Sequence, residues 1–159
     1  MARLLILAHA PLATALLQVA RHAYPDLARG VLAFDVQPQA SLDESEVAVR
    51  LLLQTARAAD VEAATDLADE ILVLTDVFGA TPANVAQRLS DGIRMRVLAG
   101  VNVPMLWRAL NYARLPLDEL VTRAMAGANQ GVLAVVSTRP QNQAFTPQVH
   151  DSIHHHHQQ

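Results

Sequence analysis

The stretch Ile71-Leu72-Val73-Leu74-Thr75, running straight into Asp76-Val77-Phe78-Gly79-Ala80-Thr81-Pro82-Ala83-Asn84, decides how this chain folds. Five residues dominated by branched apolar side chains, without polar alternation, read as a strand covered on both faces. The loop that follows leads into a helix expected from about Thr81 to Asp91, with Gly92 placed to stop it. A buried strand, a short loop and a helix form the repeating unit of a parallel sheet.

The same unit recurs on either side. Upstream, Leu4 to Ala8 is a second continuous apolar run. Leu12, Leu16, Val19, Ala20 and Ala23 then share one helical face, and Pro25 ends that helix. Val31 to Phe34 reads as a strand. Ser41-Leu42-Asp43-Glu44 has the pattern of a capping box and opens a helix to about Ala59. Downstream, Met95 to Ala99 is a strand, and the next helix carries Pro104 in its first turn and Asn102 as its cap. A further helix is expected from about Pro116 to Ala126. Gly131 then introduces Val132 to Val136 as a fifth, edge strand. The fold class is therefore α/β, a doubly wound and mostly parallel sheet with helices on both faces. Residues 1–136 form one domain on this reading. Residues 137–159, rich in Pro, Gln, Asn and His, form a flexible polar tail.

Composition narrows the functional classes. The chain has 159 residues, enough for one domain with a substantial core and too few for two ordinary ones. Apolar residues make up 52% and aromatics 4%, a balance that suits helices on a buried sheet better than an aromatic-rich sandwich. The net charge is −3, without a basic stripe or a zinc-finger spacing, which argues against a nucleic-acid partner. Cysteine is absent, which excludes disulfides, thiolate catalysis and cysteine metal sites and fits a cytoplasmic location. The apolar N-terminus is interrupted by His9 and Pro11 and has Arg3 as its one early cation, so it reads as a strand and turn rather than a signal peptide. No apolar run approaches the roughly 20 residues needed to insert in a membrane.

In a parallel α/β sheet, ligands and reacting groups gather beyond the carboxyl ends of the strands. Strand one is followed by His9, strand three by Asp76 to Asn84, and strand four by Gly100-Val101-Asn102-Val103-Pro104. His9 and Asp76 form the chemically suggestive pair. A carboxylate on one ring nitrogen fixes the tautomer and leaves the other nitrogen as a nucleophile. Thr81 and the N–H groups of Gly79, Ala80 and Thr81 are placed to hold the oxygens of a transferred phosphoryl group. No phosphate-binding loop of the G-x-x-x-x-G-K-[ST] type is present, so direct use of ATP is not expected. A histidine that receives phosphate from another protein needs neither nucleotide, cofactor nor metal. Local chemistry leaves alternatives open: Asp76 and Thr81 read equally well here as turn and N-cap residues, and His22 belongs on an exposed helix face. His154 to His157 are at most a weak nickel or zinc candidate.

Three segments, taken in order and spacing, carry a resemblance. They are the end of strand one with His9, the Asp76 to Asn84 loop, and Ala99-Gly100-Val101-Asn102-Val103-Pro104-Met105-Leu106. Over about Met1 to Val136 the chain resembles the mannose-family IIA component of the bacterial phosphoenolpyruvate:sugar phosphotransferase system. The resemblance implies a phosphotransferase with a phosphohistidine intermediate: His9 is phosphorylated on Nε2 by the phosphocarrier protein HPr and passes the group to a IIB component. It implies that Asp76 orients the ring through Nδ1 and that Thr81 helps hold the phosphoryl group. It also implies a homodimer in which Val132 to Val136 crosses to the neighbouring subunit. The family commonly has glycine where Ala10 and Ala80 stand here, so a backbone needing φ > 0 at either place would be penalised.

Two further readings stand beside sugar uptake. In one, the phosphorylation state of His9 controls binding to a regulatory target. In the other, the chain resembles the phosphocarrier subunit of dihydroxyacetone kinase, although the Phe78 to Pro82 loop and the Gly100 to Pro104 turn fit the mannose family better. A response-regulator receiver shares the architecture but needs acidic residues where this chain has Ala8-His9-Ala10.

Overall fold

A computed structural model describes residues 1–59 and 70–135. Four strands, β1 (Arg3–His9), β2 (Leu32–Val36), β3 (Ile71–Thr75) and β4 (Met95–Ala99), form one sheet in the order β2-β1-β3-β4. Every neighbouring pair is parallel. The helices are α1 (Leu12–Ala23), α2 (Leu42–Ala59), α3 (Thr81–Leu89), α4 (Val103–Tyr112) and α5 (Leu117–Gln130).

Strand alternation divides the core in two. Leu4, Ile6, Ala8, Leu72 and Leu74 face one way and pack with α1, α4 and α5 through Leu16, Leu17, Leu106, Leu110 and Leu120. Leu5, Leu7, Ile71 and Val73 face the other way and pack with α2 and α3 through Val49, Leu53, Val85 and Ala86. This is the doubly wound arrangement expected from continuous apolar strands. The chain leaves β1 toward β2 and then returns to the other side of β1 for β3. The point where the winding reverses lies between the carboxyl ends of β1 and β3, where such folds bind their ligands.

The expected capping box forms in full. Ser41 Oγ accepts from the Glu44 N–H at 3.2 Å, and Glu44 Oε2 accepts from the Ser41 N–H at 2.9 Å and its hydroxyl at 2.8 Å. The Asn102 cap forms too, its Oδ1 accepting from the Met105 N–H at 2.8 Å.

Four expectations need correction. The buried stripe of α1 is Ala13, Leu16, Leu17 and Ala20, whereas Leu12, Val19 and Ala23 are exposed. Two stripes at helical period overlap in that sequence, and the sheet takes the one a residue later. Strand β2 starts and ends later than Val31 to Phe34, running to Val36. Helix α5 continues past Ala126 to Gln130, because Gly127 serves close packing rather than termination. A Cβ there would lie 2.2 Å from Arg108 Cγ and 2.9 Å from the Pro104 carbonyl oxygen of α4. Finally, helix α3 ends at Leu89, short of Asp91. Residues 132–135, expected as an exchanged edge strand, pair with no strand of this chain's own sheet. Val132, Leu133 and Val135 are 75%, 77% and 97% exposed, and all five residues of β4 are only partly buried. Val136 and the tail, with His154 to His157, lie outside the described residues. Among the described residues, no helix is long and apolar enough to cross a membrane.

Candidate functional site: a carboxylate-held histidine at the winding reversal

His9 is the last residue of β1, paired in register with Val36 of β2. Asp76 follows the last residue of β3 directly, across the reversal point. One oxygen, Asp76 Oδ2, accepts from the His9 backbone N–H at 2.9 Å and meets ring Nδ1 at 2.7 Å. The second oxygen accepts from the Val77 N–H at 2.8 Å. The Asp76 side chain is 10% exposed and that of His9 is 50% exposed. The carboxylate is thus fixed from below while the ring stands open to solvent.

Burial works to raise the Asp76 pKa, and it is outweighed by the backbone N–H of His9, its ring and the Val77 N–H. The net effect holds the carboxyl below the usual carboxylate value. An ionised Asp76 requires a proton on the ring nitrogen facing it. In the neutral ring the lone pair therefore sits on Nε2, on the exposed side.

The loop after Asp76 is built by its own backbone. The Ala80 N–H closes a turn on the Val77 carbonyl at 3.3 Å, and Asn84 Nδ2 donates to the Gly79 carbonyl at 3.3 Å. Gly79 has φ +82°, a conformation in which a side chain would be strained. Ala80 lies in the extended region at φ −83°, and no residue other than glycine has positive φ among the described residues. Alanine at positions 10 and 80 therefore carries no backbone penalty. The loop after β4 is tied to the same place: the Gly100 N–H donates to the Asp76 carbonyl at 2.8 Å and the Val101 N–H to the Thr75 carbonyl at 3.0 Å.

Of the residues expected to act together, His9 and Asp76 are in direct contact. Thr81 is the first residue of α3, beyond the Val77 to Ala80 turn, and is partly buried. No direct hydrogen bond joins it to His9 or Asp76. Helix α3 has no side-chain cap, so its first turn reaches the carboxyl edge of the sheet without a carboxylate or hydroxyl closing it. Val77 and Phe78, 58% and 77% exposed, flank the site with apolar surface. Sequence reasoning missed Asp35 at the end of β2, whose carboxylate binds the first turn of α1 at Thr14. These partners are 21 positions apart, and no local pattern joins them.

The site is therefore a half-exposed histidine held by a carboxylate through Nδ1 at the reversal point of a doubly wound parallel sheet. The chain belongs to the family described as the PTS system fructose IIA component (EIIA-man), whose family model matches residues 3–125. Solved structures agree. The phosphotransferase system component EIIA from Streptococcus agalactiae is 26% identical, with a TM-score of 0.67 over 84% of this chain and 97% of that one. The mannose/sorbose specific IIA subunit from Enterococcus faecalis is 21% identical, with a TM-score of 0.71 over 87% and 97%. A sigma-54 interaction domain protein from Enterococcus faecalis has the same fold at 13% identity, with a TM-score of 0.63 over 82% and 92%. No curated protein sequence matches the chain significantly.

Proposed function

We propose that His9 accepts a phosphoryl group on Nε2 from phosphorylated HPr and passes it to a IIB component in sugar uptake. The observation that carries this reading is the Asp76 contact to Nδ1 at 2.7 Å, which in the neutral ring places the lone pair on Nε2 of a half-exposed side chain. The Nε2 lone pair attacks phosphorus in line. The bond from phosphorus to the donor atom breaks, and the donor keeps the electron pair. The proton stays on Nδ1, hydrogen-bonded to the ionised Asp76, which stabilises the charge that develops on the ring. The step needs no proton transfer, metal or nucleotide.

Thr81 and the N–H groups of Gly79 and Thr81 hold the phosphoryl oxygens at the uncapped start of α3, where the helix dipole favours an anion. Ala80, its own N–H turned to Val77, shapes the turn. The protein acts in the cytoplasm as a homodimer, and the Val132 to Val136 segment crosses to the partner's sheet beside β4. That role fits both the exposure of Val132, Leu133 and Val135 and the half-covered edge of β4.

Incubation with phosphoenolpyruvate, enzyme I and HPr tests the reading: label is expected on His9, and a His9→Ala protein that labels equally well sinks it. A second reading draws on the sigma-54 interaction domain protein, which shares the fold alone. In it, phosphorylation of His9 switches binding to a regulatory target. Neighbouring IIB, IIC and IID genes favour uptake, and their absence favours regulation.

A further inference from the structure

His9 is held from two sides, and the Asp76 side is only one of them. Two residues, Ala10 and Pro11, separate it from α1. Strand β2 borders β1 on the side away from β3, with Asp35 opposite Ala8 and Val36 opposite His9. The Val36 carbonyl accepts from the Ala10 N–H at 3.0 Å. The Asp35 carboxylate then takes the next turn of chain, accepting from the Thr14 N–H at 3.1 Å and from the Thr14 hydroxyl through its other oxygen. The Ala15 N–H closes on the Pro11 carbonyl at 3.0 Å.

The N-cap position of α1 is Pro11, which has no side-chain acceptor to offer. Asp35 fills that need from another strand. The difference is mechanical. A local cap ties a helix start to itself, whereas a cap from β2 ties it to the sheet. Only two residues separate His9 from α1, so whatever fixes the first turn of α1 at Thr14 also limits where His9 can move.

We propose that Asp35, acting through Thr14, is a positioning residue for His9: it anchors the start of α1 to β2 so that Nε2 keeps its line of attack. Asp76 sets the tautomer and ring plane from the β3 side, and Asp35 sets the main-chain path from the β2 side. The inference rests on the phosphoryl-acceptor reading of His9, but one arm of its test does not.

The full chain labelled with ¹⁵N-histidine is compared with Asp35→Ala, Asp35→Asn and Thr14→Ala, the His9 ring signals being those lost in His9→Ala. In Asp35→Ala the His9 ring nitrogens are expected to shift away from the single Nδ1–H form toward an average of both tautomers. With phosphorylated HPr as donor, kcat is expected to fall about tenfold at unchanged KM, as misplacement of a reacting group predicts. Asp35→Asn can accept from the Thr14 N–H and donate to its hydroxyl, and is expected to recover to within about threefold. Thr14→Ala loses only the hydroxyl bond and is expected to lose about threefold.

Wild-type ring signals and wild-type kcat in Asp35→Ala overturn the proposal. If that variant does not fold, the same two results in Thr14→Ala overturn it. A wild-type protein that accepts no phosphate refutes the acceptor reading, while the ring signals still decide whether Asp35 positions His9.

Discussion

Asp76 Oδ2 accepts two hydrogen bonds from a single residue, the His9 backbone N–H at 2.9 Å and its ring at 2.7 Å. The backbone bond fixes where position 9 sits, and the ring bond fixes which nitrogen carries the proton. Asp76→Asn removes the second control without changing shape, because an amide can present N–H to Nδ1 and move the ring proton to Nε2. The rate of phosphorylation is expected to drop at least about 100-fold with the fold intact, as in other sites where an orienting carboxylate becomes an amide. Rapid-quench labelling beside a circular dichroism spectrum measures both.

Acid should release this contact. The Asp76 carboxyl has a folded-state pKa below its ordinary value of 3.8. Its stabilising contribution is therefore complete above the unfolded-state value and is lost as pH falls through the lower, folded-state one. Wild type and Asp76→Asn should differ in denaturant midpoint at pH 6, and the difference should shrink as pH falls below about 4. A gap that widened in acid would contradict the assignment.

Gly127 separates two opposing effects. Glycine to alanine inside an exposed helix ordinarily stabilises by about 1 kcal/mol. Here the new Cβ would stand 2.2 Å from Arg108 Cγ and 2.9 Å from the Pro104 carbonyl. The side chain of Arg108 can swing aside, but the Pro104 backbone cannot without moving α4. Gly127→Ala is expected to destabilise by about 1–3 kcal/mol, the range for overpacking, and a thermal melt shows the sign directly.

The capping box at the start of α2 is a local stability element away from the site. Ser41→Ala removes the acceptor of the Glu44 N–H and should cost about 1 kcal/mol. Phosphorylation of His9 should be unchanged in that variant at temperatures below its melting transition.

How much could be read in advance follows from where the information sits. Strands β3 and β4 were legible residue for residue, because Ile71 to Thr75 and Met95 to Ala99 are short, mostly apolar runs followed by loops that begin at Asp76 and Gly100. The His9–Asp76 pairing was legible because both residues follow apolar strands, whose carboxyl ends gather reacting groups; the strand order that sets β1 beside β3 comes from tertiary structure. The end of α5 did not follow, because glycine signals both a helix stop and a close helix crossing, and only the position of α4 shows which applies at Gly127. The continuous apolar run Val132 to Val136 suits a strand, but local sequence does not say which sheet edge it pairs with, because that is set by assembly. The Asp35–Thr14 contact was invisible for a similar reason: it joins two elements through tertiary geometry.

The bond from the His9 backbone N–H to Asp76 does not depend on the side chain at position 9. Any residue but proline can make it. A chain with alanine there keeps its loop in place while losing the nucleophile, and so becomes a decoy: it should occupy the phosphate donor's docking surface and compete with the active protein in a mixture, rather than drop out of the reaction unnoticed.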